Sequence, residues 1–260
     1  MLLAVDVGNT QTVMGLYEDE RLLAHWRVAT DAADTGDELA LRIHALFALE
    51  ALGDAPVTDV AIASVVPPLT EQWRQLAARL ATTPALIVDS GTDTGLPIAY
   101  GDPTEIGADR LADAVAAVEL YGAPCIVVDF GTATNIEVID RTGAFVGGVI
   151  APGLATSAQA LFDAAARLAK TSIDVPPRVI GASTREAVQS GLTFGEIDRI
   201  DGLVRRIVDE LGYPATVIAT GGLSARVTGL SRTIDTVNDD LTLEGLRIIH
   251  RRVRGRQGRG

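Results

Sequence analysis

One short phrase is written twice in this 260-residue chain, and the repetition limits the folds that the chain can adopt. It reads AVDVGNTQT at residues 4–12 and VVDFGTATN at residues 127–135. Aligning the copies pairs identical residues that lie 123 positions apart: Asp6 with Asp129, and Gly8 with Gly131. Each copy ends one apolar run and precedes another, which is typical of a strand, a tight turn and a second strand. Such a repeat predicts two related halves.

The order of predicted elements is also the same in the two halves. Three apolar runs after the start predict strands, and helices alternating with strands follow. The second half repeats this order from residue 125, with helices expected at about 153–169 and 183–211 and a last helix at the C-terminal end. We therefore expect an α/β fold of two tandem βββαβαβα-like halves. The expected division gives an N-terminal lobe at 1–110 and a C-terminal lobe at 111–260, each carrying one hairpin.

Composition and charge exclude several classes of protein. The net charge is −12, and six arginines with no acid occupy residues 247–260, so the rest of the chain carries −18 and should repel nucleic acid. We expect the arginine-rich end to be solvated and mobile. Cys125 is the only cysteine, which excludes an internal disulfide. No basic leader and no long apolar run is present, so we expect a cytoplasmic protein without membrane contact.

The repeated phrase has the composition of a phosphate-binding turn. Glycine lets the backbone approach an anion, Asn9, Thr10 and the turn N–H groups can donate to phosphate oxygens, and Asp6 can hold a metal or its water. Two ordinary hairpins are the alternative interpretation. The chain has no lysine-containing phosphate loop, since its only lysine is Lys170, and no dinucleotide-binding glycine motif. These observations favour a Mg²⁺-dependent nucleotide site without a lysine.

Five motifs in order along the chain carry a resemblance to a known family. They are DVGNT (6–10), GADR (107–110), DFGTAT (129–134), GGVIAPG (147–153) and TGGL (220–223). Together they resemble the type III pantothenate kinases of the actin, Hsp70 and sugar kinase superfamily. The resemblance implies the actin-like ATPase/acetate and sugar kinase fold. It also implies ATP-dependent phosphorylation of pantothenate, the first step of coenzyme A biosynthesis, by a homodimer that requires Mg²⁺ and a monovalent cation, K⁺ or NH₄⁺.

The resemblance assigns roles to residues motif by motif. Those matching the ATP-binding positions are Asp6, Val7, Gly8, Asn9, Thr10, Gln11, Thr12, Val13 and Thr132. Asp129 matches the ligand of the monovalent cation. Those matching the pantothenate-binding positions are Tyr100, Gly107, Ala108, Asp109, Arg110 and Thr184. Asp109 holds the position of the catalytic proton acceptor. The chain departs from the family at 181–184, where GAST stands in place of the usual Gly-Lys-Asn-Thr.

The residues themselves agree with a catalytic Asp109 but leave other interpretations open. The dipole of a helix favours an ionised carboxylate in its first turn, as a general base requires. A structural acid paired with Arg110 is the alternative interpretation. The segment GGVIAPGLATSAQALF suits a dimer face. Another small-molecule kinase of the superfamily and a non-catalytic accessory factor for transcription are the alternative functions. A chaperone of the Hsp70 type is disfavoured because no substrate-binding domain follows.

Overall fold

The computed structural model describes residues 1–52, 56–165 and 168–257. Within these residues the chain forms two compact units. Unit 1 contains residues 1–96 and 100–116 together with the C-terminal helix, and unit 2 contains residues 97–99 and 117–240.

The strands of the described residues form two five-stranded sheets of matching order. The strands are β1 (Leu2–Val7), β2 (Gln11–Glu18), β3 (Arg21–Ala29), β4 (Asp59–Ser64), β5 (Leu86–Ile87), β6 (Cys125–Phe130), β7 (Ala133–Ile139), β8 (Phe145–Pro152), β9 (Thr216–Thr220) and β10 (Thr236–Val237). In unit 1 the order is β3-β2-β1-β4-β5, and in unit 2 it is β8-β7-β6-β9-β10. Strand β1 runs antiparallel to β2 and parallel to β4, and β6 likewise runs antiparallel to β7 and parallel to β9.

Helices alternate with the strands after each set of three. They are α1 (Gly36–Leu49), α2 (Pro67–Leu80), α3 (Ala108–Tyr121), α4 (Leu154–Ala164), α5 (Thr184–Leu211), α6 (Ser224–Val227) and α7 (Leu241–Gln257). The α/β fold of two tandem βββαβαβα-like halves is therefore confirmed. Helix α4 ends earlier than predicted, since Leu168 and Ala169 are not helical; residues 166–167 of that prediction lie outside the described residues.

One face of the unit 1 sheet packs on α1 and α2. Helix α1 begins with a capping box, in which Thr35 and Glu38 exchange hydrogen bonds. Its buried stripe includes Phe47, whose ring stacks on Trp26 of β3 with centroids 5.3 Å apart. Trp73 of α2 is 2% exposed in the same core. Burying rings of this size removes enough apolar area from water to hold both helices on the sheet.

Helix α7 packs in unit 1, against β1, β2 and β4. Leu243 lies against Gly15 of β2, and Gly245 lies so close to Ala112 of α3 that a Cβ atom would overlap its backbone. The division expected at residues 110 and 111 differs from this arrangement, because it placed the last helix with the second lobe. The boundary between the units instead falls within α3, after Ala116.

The arginines of α7 contradict the expected solvated and mobile end as far as residue 257. Arg251 is paired with Glu20 at 2.6 Å, Arg252 donates to the carbonyl of Thr94 at 2.6 Å, and Arg254 donates to the carbonyl of Pro84 at 2.6 Å. The apolar side of the helix holds it on the sheet, which brings these side chains within reach of acids and carbonyls far away in sequence.

In unit 2 the sheet packs on α4 and α5. Alternate residues of β6, Ile126, Val128 and Phe130, join the core with Ile200 and Val204 of α5. This alternation sends Asp129 to the opposite face of the sheet, because successive side chains of a strand point to opposite sides.

Candidate functional site

The turn between β1 and β2 is tight and is closed by one backbone hydrogen bond. We call β1, β2 and this turn hairpin 1. The N–H of Gly8 donates to the carbonyl of Gln11 at 3.1 Å, and a Cβ on Gly8 would lie 2.9 Å from that carbonyl oxygen. Asn9 and Thr10 are exposed at the tip. Glycine is thus required at Gly8 for a close approach of backbone to backbone, and the tip offers polar groups to solvent.

The end of β3 supports hairpin 1 from the side. The N–H of Thr30 donates to the carbonyl of Thr10 at 3.0 Å, and the hydroxyls of Thr30 and Thr12 are hydrogen-bonded at 2.9 Å. Arg27 donates to the side-chain oxygen of Gln11 at 3.1 Å. Thr12 is 3% exposed, so its hydroxyl serves the hairpin itself in this structure. Thr30 and Arg27 could not be identified from the sequence, since their role depends on the register of β3.

Hairpin 1 and the start of α3 meet at one edge of the unit 1 sheet. Strands β1 and β4 are parallel, so their carboxyl ends lie together, and the N–H of Val65 donates to the carbonyl of Val7 at 3.0 Å. A Cβ on Gly107 would lie 3.8 Å from a methyl group of Val65. The carboxyl edge of parallel strands is where ligands of α/β proteins bind. The structure therefore brings two of the predicted segments, 6–13 and 107–110, to a single edge.

Asp109 is half-buried in the first turn of α3. Its Oδ1 accepts a hydrogen bond from the N–H of Arg110 at 2.8 Å, and a Cβ on Gly107 would overlap the same oxygen. Glycine at Gly107 thus leaves room for the carboxylate. Ala108 and Arg110 are both 7% exposed, while Tyr100 is half-buried in the loop that precedes α3.

Hairpin 2, formed by β6, β7 and the turn between them, also has a turn closed by a glycine N–H in unit 2, with one residue fewer between its strands. The N–H of Gly131 donates to the carbonyl of Ala133 at 3.0 Å, and Thr132 is exposed at the tip. The carbonyl of Thr132 accepts from the N–H of Gly153 at 3.1 Å and from the hydroxyl of Thr156 at 2.6 Å. Gly153 ends the GGVIAPG motif, and a Cβ there would overlap the backbone of the turn.

Two glycines enclose the carboxylate of Asp129. A Cβ on Gly131 would lie 3.3 Å from Asp129 Oδ2, and one on Gly221 would overlap Oδ1 and lie 2.7 Å from the N atom of Phe130. Gly221 also has φ +92°, in the region that favours glycine. Carboxylate and backbone carbonyl oxygens are suitable ligands for a hard cation such as K⁺ or Mg²⁺. Asp129 is thus held in a cradle that any side chain at Gly221 would fill.

The GAST segment forms the N-terminal cap of α5. Ser183 caps α5 by accepting from the N–H of Glu186 at 3.2 Å, and Glu186 accepts from the N–H of Ala182 at 2.7 Å. Thr184 is the first, exposed residue of α5 and belongs to unit 2, whereas Tyr100 and 107–110 belong to unit 1.

Other chemistries have little support in the described residues. Burial raises the pKa of the Cys125 thiol to about 12, so this thiol stays protonated and unreactive. Across residues 1–52, 56–165 and 168–257, no three His, Cys, Asp or Glu side chains are grouped as metal ligands. No helix in the same ranges has the length and apolar character to cross a membrane.

Comparison with known proteins identifies the family that this chain resembles. The family model of type III pantothenate kinase matches residues 2–206. The chain is 46% identical over 254 residues to the type III pantothenate kinase of Anaeromyxobacter sp. (strain Fw109-5), with 98% of this chain and 100% of the relative covered. It is 48% identical over 250 residues to that of Frankia alni, covering 96% of this chain and 98% of the relative.

A solved structure shows the same fold at much lower identity. The activator of 2-hydroxyisocaproyl-CoA dehydratase from Clostridium difficile superposes with a TM-score of 0.53 at 12% identity, covering 99% of this chain and 97% of that one. The likeness extends over nearly all of both chains and agrees with the actin-like fold implied by the motifs. By its family model and its full-length relatives, the chain belongs to the type III pantothenate kinase family.

Proposed function

We propose that the protein transfers the γ-phosphoryl group of ATP to pantothenate, giving 4'-phosphopantothenate, the first step of coenzyme A biosynthesis. Membership of the family supports the reaction. The observation that carries it in the structure is the common edge of hairpin 1 and Asp109, linked through Val7, Val65 and Gly107. A phosphate-binding turn and a carboxylate at one edge are the elements that phosphoryl transfer to an alcohol requires.

Hairpin 1 is assigned to the phosphates of ATP. Its tip presents N–H groups and the side chains of Asn9 and Thr10, all of which donate hydrogen bonds to phosphate oxygens. Asp6, Val7, Gly8, Gln11, Thr12 and Val13 form the rest of the ATP loop in this assignment. Val7 and Thr12 are buried, so they act by shaping the turn, whereas Thr132 of hairpin 2 is exposed and gives a second nucleotide contact.

Asp109 is assigned as the proton acceptor. Its Oδ1 is engaged by the N–H of Arg110, which leaves Oδ2 to accept the hydroxyl proton of pantothenate. The hydroxyl oxygen then forms the new bond to the γ-phosphorus as the bond to the bridging oxygen of ATP breaks, and ADP leaves. Tyr100, Gly107, Ala108, Arg110 and Thr184 are assigned to pantothenate. The buried guanidinium of Arg110 has the charge to hold an anionic substrate.

The proposed reaction uses two kinds of cation. Asp129, in its cradle of glycines, is assigned as the ligand of the monovalent cation, K⁺ or NH₄⁺. Asp6, half-buried at the end of β1, is assigned to hold Mg²⁺ or its water. The cations neutralise charge on the phosphates, which the chain cannot do with a loop lysine because its only lysine is Lys170.

We further infer a cytoplasmic homodimer that binds neither nucleic acid nor membranes. Ile150 and Leu161, in the segment expected to form the dimer face, are 65% and 37% exposed, as apolar residues of an interface are in a single chain. Light scattering should give a molar mass of twice 27.2 kDa, the mass of one chain. A mass of one chain at working concentration would contradict the dimer.

The test of the function is ADP release coupled to a spectrophotometric readout. The purified protein, ATP and Mg²⁺ are combined with pantothenate in the presence and absence of K⁺, and in parallel with a hexose, an N-acetylated sugar and acetate. Among these acceptors we expect turnover only with pantothenate, and only when K⁺ or NH₄⁺ is present. Faster turnover with any other acceptor would overturn the assignment.

A further inference from the structure

A buried carboxylate of α5 lies behind hairpin 2. Glu196 is 5% exposed, and its Oε1 accepts a hydrogen bond from the hydroxyl of Thr134 at 2.7 Å. Thr134 is 1% exposed and is the second residue of β7, directly after the turn that carries Thr132. Because a carboxylate is costly to remove from water, a chain keeps one in a core only where its partners compensate the loss.

The other oxygen of Glu196 is linked through Arg199 to the end of β8, the strand that pairs with β7. Its Oε2 accepts from Nη2 of Arg199 at 2.5 Å, and this nitrogen also donates to the carbonyl of Pro152 at 2.9 Å. Pro152 ends β8, and the next residue, Gly153, donates its N–H to the carbonyl of Thr132 at 3.1 Å. One carboxylate thus connects β7, which follows the tip of hairpin 2, with the end of β8, to which the tip is hydrogen-bonded through Gly153.

We propose that Glu196 is a positioning residue for ATP binding, which acts by fixing the tip of hairpin 2 through Thr134 and Arg199. The proposal rests on the function proposed above, in which Thr132 contacts the nucleotide. Charge-assisted hydrogen bonds are short and directional, so they restrict the tip more than packing alone would. A turn that moves by a fraction of an ångström loses the alignment that phosphate binding needs.

Helix α5 supplies a matched control one turn and a half further along. Asp201 is 3% exposed and, like Glu196, accepts from a hydroxyl and pairs with an arginine of its own helix. Its partners, however, are Ser231 at 2.6 Å and Thr233 at 2.8 Å, which precede β10. Asp201→Asn therefore disturbs a buried carboxylate of the same helix without touching hairpin 2.

The variants are Thr134→Val, which removes only the hydroxyl, Thr134→Ser, which restores it, Glu196→Gln and Asp201→Asn. For each, the KM for ATP, the KM for pantothenate, kcat, the melting temperature and the Kd of a fluorescent ATP analogue are measured. We expect Thr134→Val and Glu196→Gln to raise the KM for ATP and the Kd about five- to tenfold, the net value of about one hydrogen bond, with the KM for pantothenate unchanged. Thr134→Ser should return both to wild type.

Asp201→Asn should lower the melting temperature and leave the KM for ATP and the Kd as in wild type. An unchanged Kd in Thr134→Val and Glu196→Gln would overturn the inference. So would an equal rise in Asp201→Asn at the same loss of melting temperature, because loss of stability alone would then explain it. If the wild type binds the analogue but does not phosphorylate pantothenate, the proposed acceptor fails, and the analogue Kd values still decide the role of Glu196.

Discussion

Replacing Gly8 with alanine tests the construction of hairpin 1 directly. The added Cβ would lie 2.9 Å from the carbonyl oxygen of Gln11, about 0.5 Å inside ordinary contact. The blocking atom is the backbone carbonyl oxygen of Gln11, which also accepts the hydrogen bond that closes the turn, at 3.1 Å. Neither this oxygen nor the added Cβ can move away without opening the turn. Weakening that bond costs about 1 kcal/mol and the strain of overpacking a further 1–2 kcal/mol.

Part of this cost is expressed as lost ATP binding, because the turn that must open is the one assigned to the phosphates. We expect the KM for ATP to rise at least about tenfold, which corresponds to 1.4 kcal/mol, while the melting temperature falls by only about 2–6 °C. Steady-state kinetics at saturating pantothenate and a thermal scan measure the two effects.

Two other glycines provide the comparison. At Gly131 the corresponding Cβ would lie 3.2 Å from the carbonyl of Ala133, so Gly131→Ala should raise the KM for ATP less than Gly8→Ala does. At Gly191, exposed on α5, a Cβ would meet no heavy atom within 4 Å among the described residues, and Gly191→Ala should leave the KM unchanged. A wild-type KM for ATP in Gly8→Ala would refute the assignment of hairpin 1 to the phosphates.

Three further changes test other parts of the structure. Asp109→Asn keeps an oxygen for the neighbouring N–H but removes the base, so kcat should fall about 100-fold or more; a normal kcat with a raised KM for pantothenate would make Asp109 a binding residue only. Burial lowers the pKa of His250 below its ordinary 6.5; the positive charge of Arg254 adds to this effect, and the negative charge of Asp59 opposes it. The imidazole of the folded chain therefore binds a proton less readily than that of the unfolded chain, and the free energy of unfolding should fall as the pH drops below 6.5. Urea denaturation on either side of pH 6.5 should show this loss of stability in wild type and a smaller loss in His250→Gln; an equal dependence of stability on pH in the two proteins would contradict the prediction. The pKa of Asp59 is lowered from 3.8, so the stability that this carboxylate contributes is lost only at more acidic pH. Gly245→Ala places a Cβ against the backbone of α3 and should cost about 1–3 kcal/mol in urea denaturation, and a melting temperature equal to that of wild type would show that α7 does not pack as described.

Local features could be predicted from the sequence because local chemistry determines them. A strand that ends in Asp and Gly needs no distant partner to form a turn, so the repeat located Gly8 and Gly131 and the tandem halves. Asp109 was identified by the GADR motif, and its place in the opening turn of a predicted helix agreed with that motif. The helix predicted at about 183–211 is confirmed as α5, which ends where Gly212 adopts φ +75°.

The contacts that support the hairpins could not be predicted, because they join residues far apart in the chain. Gly153 and Gly221 lie in motifs that the sequence shows, but their close approach to Thr132 and Asp129 depends on how β8 and β9 are placed. Glu196 reads as an ordinary helix carboxylate 62 positions from Thr134, and only tertiary structure buries it.

The arginine-rich end shows the same limit of sequence reasoning. Charge and glycine content predict a solvated segment, and the acids that pair with it, such as Glu20, lie at the other end of the chain. The position of this helix is determined by apolar residues in its first two turns, since Leu243 and Leu246 are both almost fully buried.

The docking of α7 has a consequence for synthesis of the protein on the ribosome. Strands β1, β2 and β4 emerge first, but the helix that packs on them is translated only after all of unit 2. Apart from residues 97–99, unit 2 is one continuous stretch that can be completed as it emerges. The nascent unit 1 must therefore wait with an apolar face uncovered, and a stalled or prematurely stopped chain would expose that face to chaperones and proteases.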